Sequence, residues 1–161
     1  MPRAEKTPPV TPYLTVRGGK AAIEFYKKAF GAKVGMLMMA DDKQRVMHAT
    51  LLLNGAAVML SDVFDEYQQD GFARPPQEAG GASVMVHLEV PVVDQSWNKA
   101  VKAGAKVLMP LADQFWGARY GQITDPFGHV WSMASPIKAK APAKAAARKK
   151  GAARKAAKKK R

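Results

Sequence analysis

The chain contains no cysteine. That excludes a disulfide framework, a thiol nucleophile and a thiolate metal centre. It has no apolar run near the roughly 20 residues that span a bilayer. The opening MPRAEKTPPVTP lacks the apolar stretch of a secretory signal, so a cytoplasmic protein is the expectation. Strings of the GxSxG, Walker, GxGxxG and HExxH types are missing, which leaves nucleophilic catalysis and phosphate cradling without support. The end of the chain lacks acid altogether. Residues 138–161 carry 12 Lys or Arg and neither Asp nor Glu. Removing those 12 from the total of 26 leaves 14 basic against 13 acidic residues, so residues 1–137 are nearly neutral. The overall +13 therefore describes two objects, a neutral body and a cationic tail.

What is present in the body reads as one domain. Residues 1–9 are a polar, proline-bearing lead-in. Residues 10–16 alternate, with Val10, Pro12, Leu14 and Val16 on one face and Thr11, Tyr13 and Thr15 on the other. This predicts a half-buried strand with Pro12 near its start. Gly18-Gly19 breaks it. Ala22, Ile23, Tyr26 and Phe30 then recur at helical spacing over residues 20–30, and Gly31 stops the helix. Strands follow at 33–39, 46–53 and 56–61. Asp41-Asp42-Lys43 turns between the first two, and Asn54-Gly55, the strongest short hairpin signal, between the second pair. Residues 62–81 are polar, hold Pro75-Pro76 and Gly80-Gly81, and read as a connection. The order then restarts: strand 83–90, helix 95–103 with Asp94 as its N-cap and Gly104 ending it, then strand 106–110. The stretch FWGARYGQITDPFGHVWSMAS, residues 115–135, is a closing hairpin with strands 119–124 and 129–134. Pro126 and Gly128 have turn chemistry. The body therefore contains βαβββ twice, and Gly55 and Gly128 correspond.

The string FWGxRYG followed by DPFGH, in a βαβββ repeat, resembles the vicinal oxygen chelate superfamily, which includes glyoxalases, bleomycin-resistance proteins and extradiol dioxygenases. Its PhnB-like branch is the nearest match, over about residues 10–135. The resemblance implies an α+β fold. Modules 10–61 and 82–135, joined by linker 62–81, form a curved mixed sheet around a cleft, within a domain covering 10–137. It also implies a divalent metal held by side chains on the first and last strands of each module. Counted from Val16 and Val90 and from the turn glycines, those positions are Thr11, Met85, Met59 and Ser132. Two hydroxyls and two thioethers suit Zn²⁺, Mn²⁺ or Fe²⁺ poorly. The expectation is a metal-free member with no cofactor, and a metal-dependent lyase or dioxygenase is the alternative.

His87 shares a face with Met85, as a cleft acid–base group or merely as a hydrogen-bonded histidine. Tyr13, Met59, Met85, His87 and Ser132 are expected to converge on one cleft, with Trp116, Arg119 and Tyr120 at its rim. Arg119 could clamp an anionic group, and Trp116 and Tyr120 could stack on a planar one; equally, Arg119 could pair with Asp113 or Asp125. His48 is given no special role, and His129 is expected to be structural. Trp131 and Met133 fall on the helix side. Met36, Met38, Met39, Met47, Met59 and Met85 fill core gaps or form an adaptable pocket.

The tail resembles the lysine- and alanine-rich tails of linker histones and histone-like bacterial proteins. Its cations are Lys138, Lys140, Lys144, Arg148, Lys149, Lys150, Arg154, Lys155, Lys158, Lys159, Lys160 and Arg161. With no aromatic or branched aliphatic residue, it is expected to be disordered in isolation. It is also expected to bind nucleic acid without sequence preference, which would permit nucleoid association. Membrane insertion is not expected, because no apolar face is present. Three functions follow: a small-molecule binding protein, a glyoxalase-type enzyme, or a homodimeric carrier for a DNA-binding tail.

Overall fold

The computed structural model describes residues 10–67 and 73–137. The expectations for residues 1–9 and 138–161 lie outside the described residues. The element order is β1 (Tyr13–Val16), α1 (Gly19–Phe30), β2 (Lys33–Met39), β3 (Val46–Leu53), β4 (Ala56–Asp62), a 3-10 turn at Asp65–Tyr67, β5 (Met85–Glu89), α2 (Val93–Lys102), β6 (Lys106–Asp113), β7 (Ala118–Thr124) and β8 (Val130–Pro136). The repeated βαβββ order is present. Each module forms its own four-stranded sheet, β1-β4-β3-β2 and β5-β8-β7-β6. In each, the first strand runs parallel to the last and the other pairings are antiparallel.

Several boundaries shift for physical reasons. β1 begins at Tyr13 because Pro12 has no N–H to give; its carbonyl accepts from Met59 N instead, at 2.9 Å. β5 begins at Met85, and Val84 is 72% exposed, so the apolar face starts at Val86. β6 continues past Pro110 to Asp113. It is the outer strand, and its register slips twice between Val107 and Ala112, which is where a sheet tolerates proline. The Asn54-Gly55 turn has φ of 47° and 82° at its two centres, as a type I′ hairpin requires. Gly31 ends α1 at φ 70°, with its N–H on Lys27 O at 3.1 Å.

Both helices pack on the same side of their sheets and against each other. The core joins Leu14, Val16, Leu51 and Leu60 of module one to Leu88, Ile123, Trp131 and Met133 of module two. An aromatic cluster fills the seam, with Phe30 and Trp131 ring centres 4.7 Å apart and Tyr26 and Trp131 5.5 Å apart. Such pairs add about 0.5–1.5 kcal/mol each beyond area burial. Among the described residues no helix is long and apolar enough to cross a membrane.

Three buried polar anchors hold this arrangement. Asp125, first residue of DPFG, accepts Phe127 N at 2.9 Å and His129 N at 3.0 Å on one oxygen. Its other oxygen accepts the Tyr26 hydroxyl at 2.6 Å and Trp131 Nε1 at 2.9 Å. The motif thus ties helix α1 of module one to the last hairpin of module two. Burial first, then the Asp125 charge, pushes the Tyr26 phenol well above its usual value. Asp62, at the end of β4, accepts Gly18 N at 2.7 Å, Gly19 N at 2.8 Å and Val46 N at 2.7 Å. A Cβ on Gly19 would lie 2.6 Å from the Asp62 carboxylate, so only glycine fits there. The counterpart in module two is Ser135, whose Oγ accepts Val93 N at 3.4 Å. Asp94 does not cap α2, contrary to expectation; it lies inside the first turn and faces Arg119.

Candidate functional site

In both modules one face of the sheet is covered by a helix and the other is open. Alternation puts Tyr13, Thr15, His48, Thr50, Met59 and Ser61 on the open face of module one. Met85, His87, Glu89, Tyr120, Gln122 and Ser132 occupy the open face of module two. The two sets correspond. With Gly55 matched to Gly128, Met59 overlies Ser132. The strand registers then match Tyr13 to His87 and His48 to Tyr120. Each open face therefore carries one imidazole and one phenol, with the two residue types exchanged between strands.

In module one the Tyr13 hydroxyl and His48 Nδ1 are hydrogen-bonded at 2.9 Å, and His48 Nε2 bonds Thr50 Oγ1 at 3.1 Å. In module two the His87 and Tyr120 rings lie nearly parallel, 6.3 Å apart. His87 Nδ1 bonds Ser132 Oγ at 2.8 Å, and His87 Nε2 faces Glu89 Oε2 at 3.2 Å. The Tyr120 hydroxyl accepts Gln122 Nε2 at 2.9 Å and makes a long 3.9 Å contact to Met85 Sδ. Trp116, 53% exposed, stands at 72° to Tyr120 with ring centres 5.8 Å apart. None of these hydrogen bonds or ring contacts crosses between modules.

The nine expected site residues therefore fall into three places. Tyr13 and Met59 are neighbours in module one, and Thr11 precedes that strand on the same alternation. Met85, His87, Tyr120, Ser132 and Trp116 gather in module two. Arg119 is on the helix side, paired with Asp94 at 2.9 Å and Asp113 at 3.0 Å. The hydrogen bonds it donates to Asp94, then to Asp113, raise its pKa above the usual arginine value. Both anion-binding valences of that guanidinium are already taken, and Asp125 is not its partner.

The modules meet along the unpaired edges of β1 and β5. A groove of about 340 Å³ runs there, lined by Tyr13, Thr15, Arg74, Val84, Val86 and His129. His129 Nε2 reaches Thr15 O at 3.1 Å across it. A second cavity, also about 340 Å³, lies on the open side of module one between Tyr13, Ser61, Phe64 and Tyr67. The linker is held at this end by Arg17, which grips Asp65 at 2.7 Å and also bonds Glu78. His48 and Glu89 were missed from sequence. Matching the modules at their turn glycines exposes His48 as the counterpart of Tyr120. Glu89 has no such signal, because its opposite number is Thr15.

The four metal positions hold Thr11, Met59, Met85 and Ser132, and Ser132 Oγ is engaged by His87. Among the described residues no group of three His, Asp or Glu could hold a metal. This donor set does not fit a hard or borderline divalent cation.

Residues 9–133 match the profile of the glyoxalase/bleomycin resistance protein/dioxygenase superfamily. The chain belongs to this superfamily. It is 42% identical over 132 residues to an uncharacterised protein of Mycobacterium tuberculosis, spanning 81% of this chain and 76% of that one. Among solved structures it resembles a PhnB protein of Bacillus cereus, at TM-score 0.60 and 20% identity, covering 80% of this chain and 99% of that one. It also resembles the fosfomycin resistance protein FosX of Listeria monocytogenes, solved with Mn(II), at TM-score 0.58 and 10% identity over 83% and 95% of the chains. The last two likenesses concern fold. The fold and the superfamily resemblance read from the sequence stand.

Proposed function

We propose that this superfamily member binds a small organic molecule on the open faces of its two modules, without a metal ion. One observation carries this reading. The residues at the four metal positions are hydroxyls and thioethers, whereas the open faces around them each carry an imidazole and a phenol, hydrogen-bonded in module one and stacked in module two, beside exposed methionines. Such surfaces suit planar or partly apolar ligands, with polar groups to orient them. Native mass spectrometry of tag-free protein tests it. The expected result is a mass without stoichiometric transition metal that gains a small-molecule adduct on ligand screening. One tightly held Mn, Fe, Ni or Zn per chain, surviving Thr11→Ala and Ser132→Ala, would favour the lyase or dioxygenase alternative.

The reading includes a homodimer. The outer strands β2 and β6 expose apolar side chains on both faces, among them Val34, Met36, Leu37 and Met38 in β2 and Val107, Leu108 and Met109 in β6. A second copy would cover them. Light scattering should return twice the chain mass.

A second reading rests on composition. The 12 cations of residues 138–161, with no acid among them, favour phosphate contacts without base readout. Binding to two unrelated duplexes should be equal. It should weaken with salt by roughly 0.9 log units per phosphate per log unit of salt, and it should be lost on truncation after Ile137. Equal binding by the truncated protein would move the site into the body.

A further inference from the structure

The described residues include four arginines, and three of them are each held by two carboxylates. Arg17 pairs with Asp65 and Glu78, Arg45 with Asp42 and Glu66, and Arg119 with Asp94 and Asp113. Arg74 is the fourth. Among the described residues it has no acidic partner, and it lines the groove of about 340 Å³ along the edges of β1 and β5. No Asp or Glu lines that groove, so Arg74 is its one permanent charge. Glu78, on the same linker, has both oxygens on Arg17.

The chain holds Arg74 at this groove. Arg74 precedes a proline, which keeps its backbone extended. Pro75 is fully buried, and its carbonyl accepts Glu78 N at 2.9 Å and Ala79 N at 3.0 Å. Gln77 Nε2 donates to Pro126 O, in the DPFG turn, at 2.9 Å. A Cβ on Gly128 of that turn would lie 3.1 Å from Pro76 Cβ, so the linker and the closing hairpin are packed together. The guanidinium therefore stands on a fixed base where the linker meets both modules. A planar fork of donors with no carboxylate of its own matches an oxyanion in two parallel hydrogen bonds. Ser83 adds a hydroxyl to the same groove. His129 also lines it, with its Nε2–H donated to Thr15 O.

We infer that the seam groove holds the carboxylate of an organic acid, with Arg74 as its partner. This rests on the binding reading above and adds the ligand's charge and orientation: anionic end on Arg74, remainder along Tyr13. The groove continues onto the open face of module one, because Tyr13 and Thr15 line both it and the second cavity beside Phe64 and Tyr67. Its volume lies in the range of small-molecule sites, about 300–1,000 Å³, and at the low end, which suits a ligand the size of one ring and a carboxylate.

The experiment uses full-length protein and three probes of similar size: benzoate, benzamide and benzylamine. Affinities are read from the amide NMR shifts of Thr15, Ser83 and Val84, so that benzoate met by the cationic tail does not count. Benzoate should bind at least roughly tenfold more tightly than benzamide, with benzylamine weakest. Arg74→Gln should abolish that preference while leaving benzamide binding unchanged. It should also leave the melting temperature unchanged, since Arg74 pairs with no described acid. Arg74→Lys should restore only part of the preference, because an ammonium lacks the fork. Benzoate no tighter than benzamide, or a preference that survives Arg74→Gln, would overturn the inference and leave the binding reading standing. Failure of all three probes, with failure of a wider neutral aromatic panel, would overturn both.

Discussion

Module one and module two share strand order, strand direction and hairpin chemistry, yet they hold their helices with different groups. Helix α1 begins on a buried carboxylate, Asp62, that takes three backbone amides at 2.7–2.8 Å. Helix α2 begins on a hydroxyl, Ser135, that takes one at 3.4 Å. The two positions correspond: Asp62 is the last residue of β4, and Ser135 is the last but one of β8. Module two, in turn, has Asp125 at its closing hairpin, where module one has Leu52. The repeat fixes where the chain goes, and a few buried acceptors, different in each half, fix how tightly each part is held. The open faces show the same pattern: the same two rings, exchanged, with a carboxylate added on one side.

The comparison is sharpest at Asp125. Asp125→Ala would leave the Tyr26 hydroxyl, Trp131 Nε1 and two turn amides without their acceptor. Each orphaned buried donor costs about 1–3 kcal/mol, so a loss of at least about 3 kcal/mol is expected in denaturant unfolding. A loss under 1 kcal/mol would mean the seam does not depend on this carboxylate. Next in size is the capping contrast. Asp62→Ala should cost about 2–4 kcal/mol and Ser135→Ala under about 1, because one long bond is lost rather than three short ones. Equal costs would break the asymmetry between modules.

A smaller effect appears at alkaline pH. The Tyr26 phenol is raised in the folded state, so the unfolded chain gives up its proton first. Its contribution is complete below the ordinary tyrosine pKa of about 10 and is lost as pH rises from there toward the folded value. Stability should decline above pH ~10, with part of the slope missing in Tyr26→Phe. An identical slope in the variant would remove Tyr26 from the account. Smallest of all, Tyr13→Phe and Tyr120→Phe should each change stability by under about 0.5 kcal/mol, since both hydroxyls sit on open faces.

The sequence revealed most of the scaffold because periodicity and turn residues are local. β2 and β3 have the expected bounds, and Gly31, Asn54-Gly55 and Gly128 sit where turns need them. Strand ends were less legible. Pairing, not alternation, decides where β1 and β5 start, and the long β6 depends on its place at the sheet edge. Asp94 precedes a helical pattern, but the helix starts at Val93, so Asp94 falls inside its first turn and pairs with Arg119. The open-face assignments of Met85 and His87 followed from alternation. Of the two roles open to Arg119, the pairing with Asp113 is the one seen, because alternate residues of a strand face opposite ways and Tyr120 takes the open face. The four-way role of Asp125 joins residues 99 positions apart, which no local pattern carries.

The central claim is that both open faces take part in binding an organic molecule and that no metal is needed. It is tested most directly by an amide NMR titration of metal-stripped, full-length protein with a panel of small aromatics. The account predicts shifts clustered at Tyr13, His48, His87 and Tyr120, unchanged by chelator. Shifts confined to the helix side, or appearing only after Mn²⁺ or Zn²⁺ is added, would contradict it.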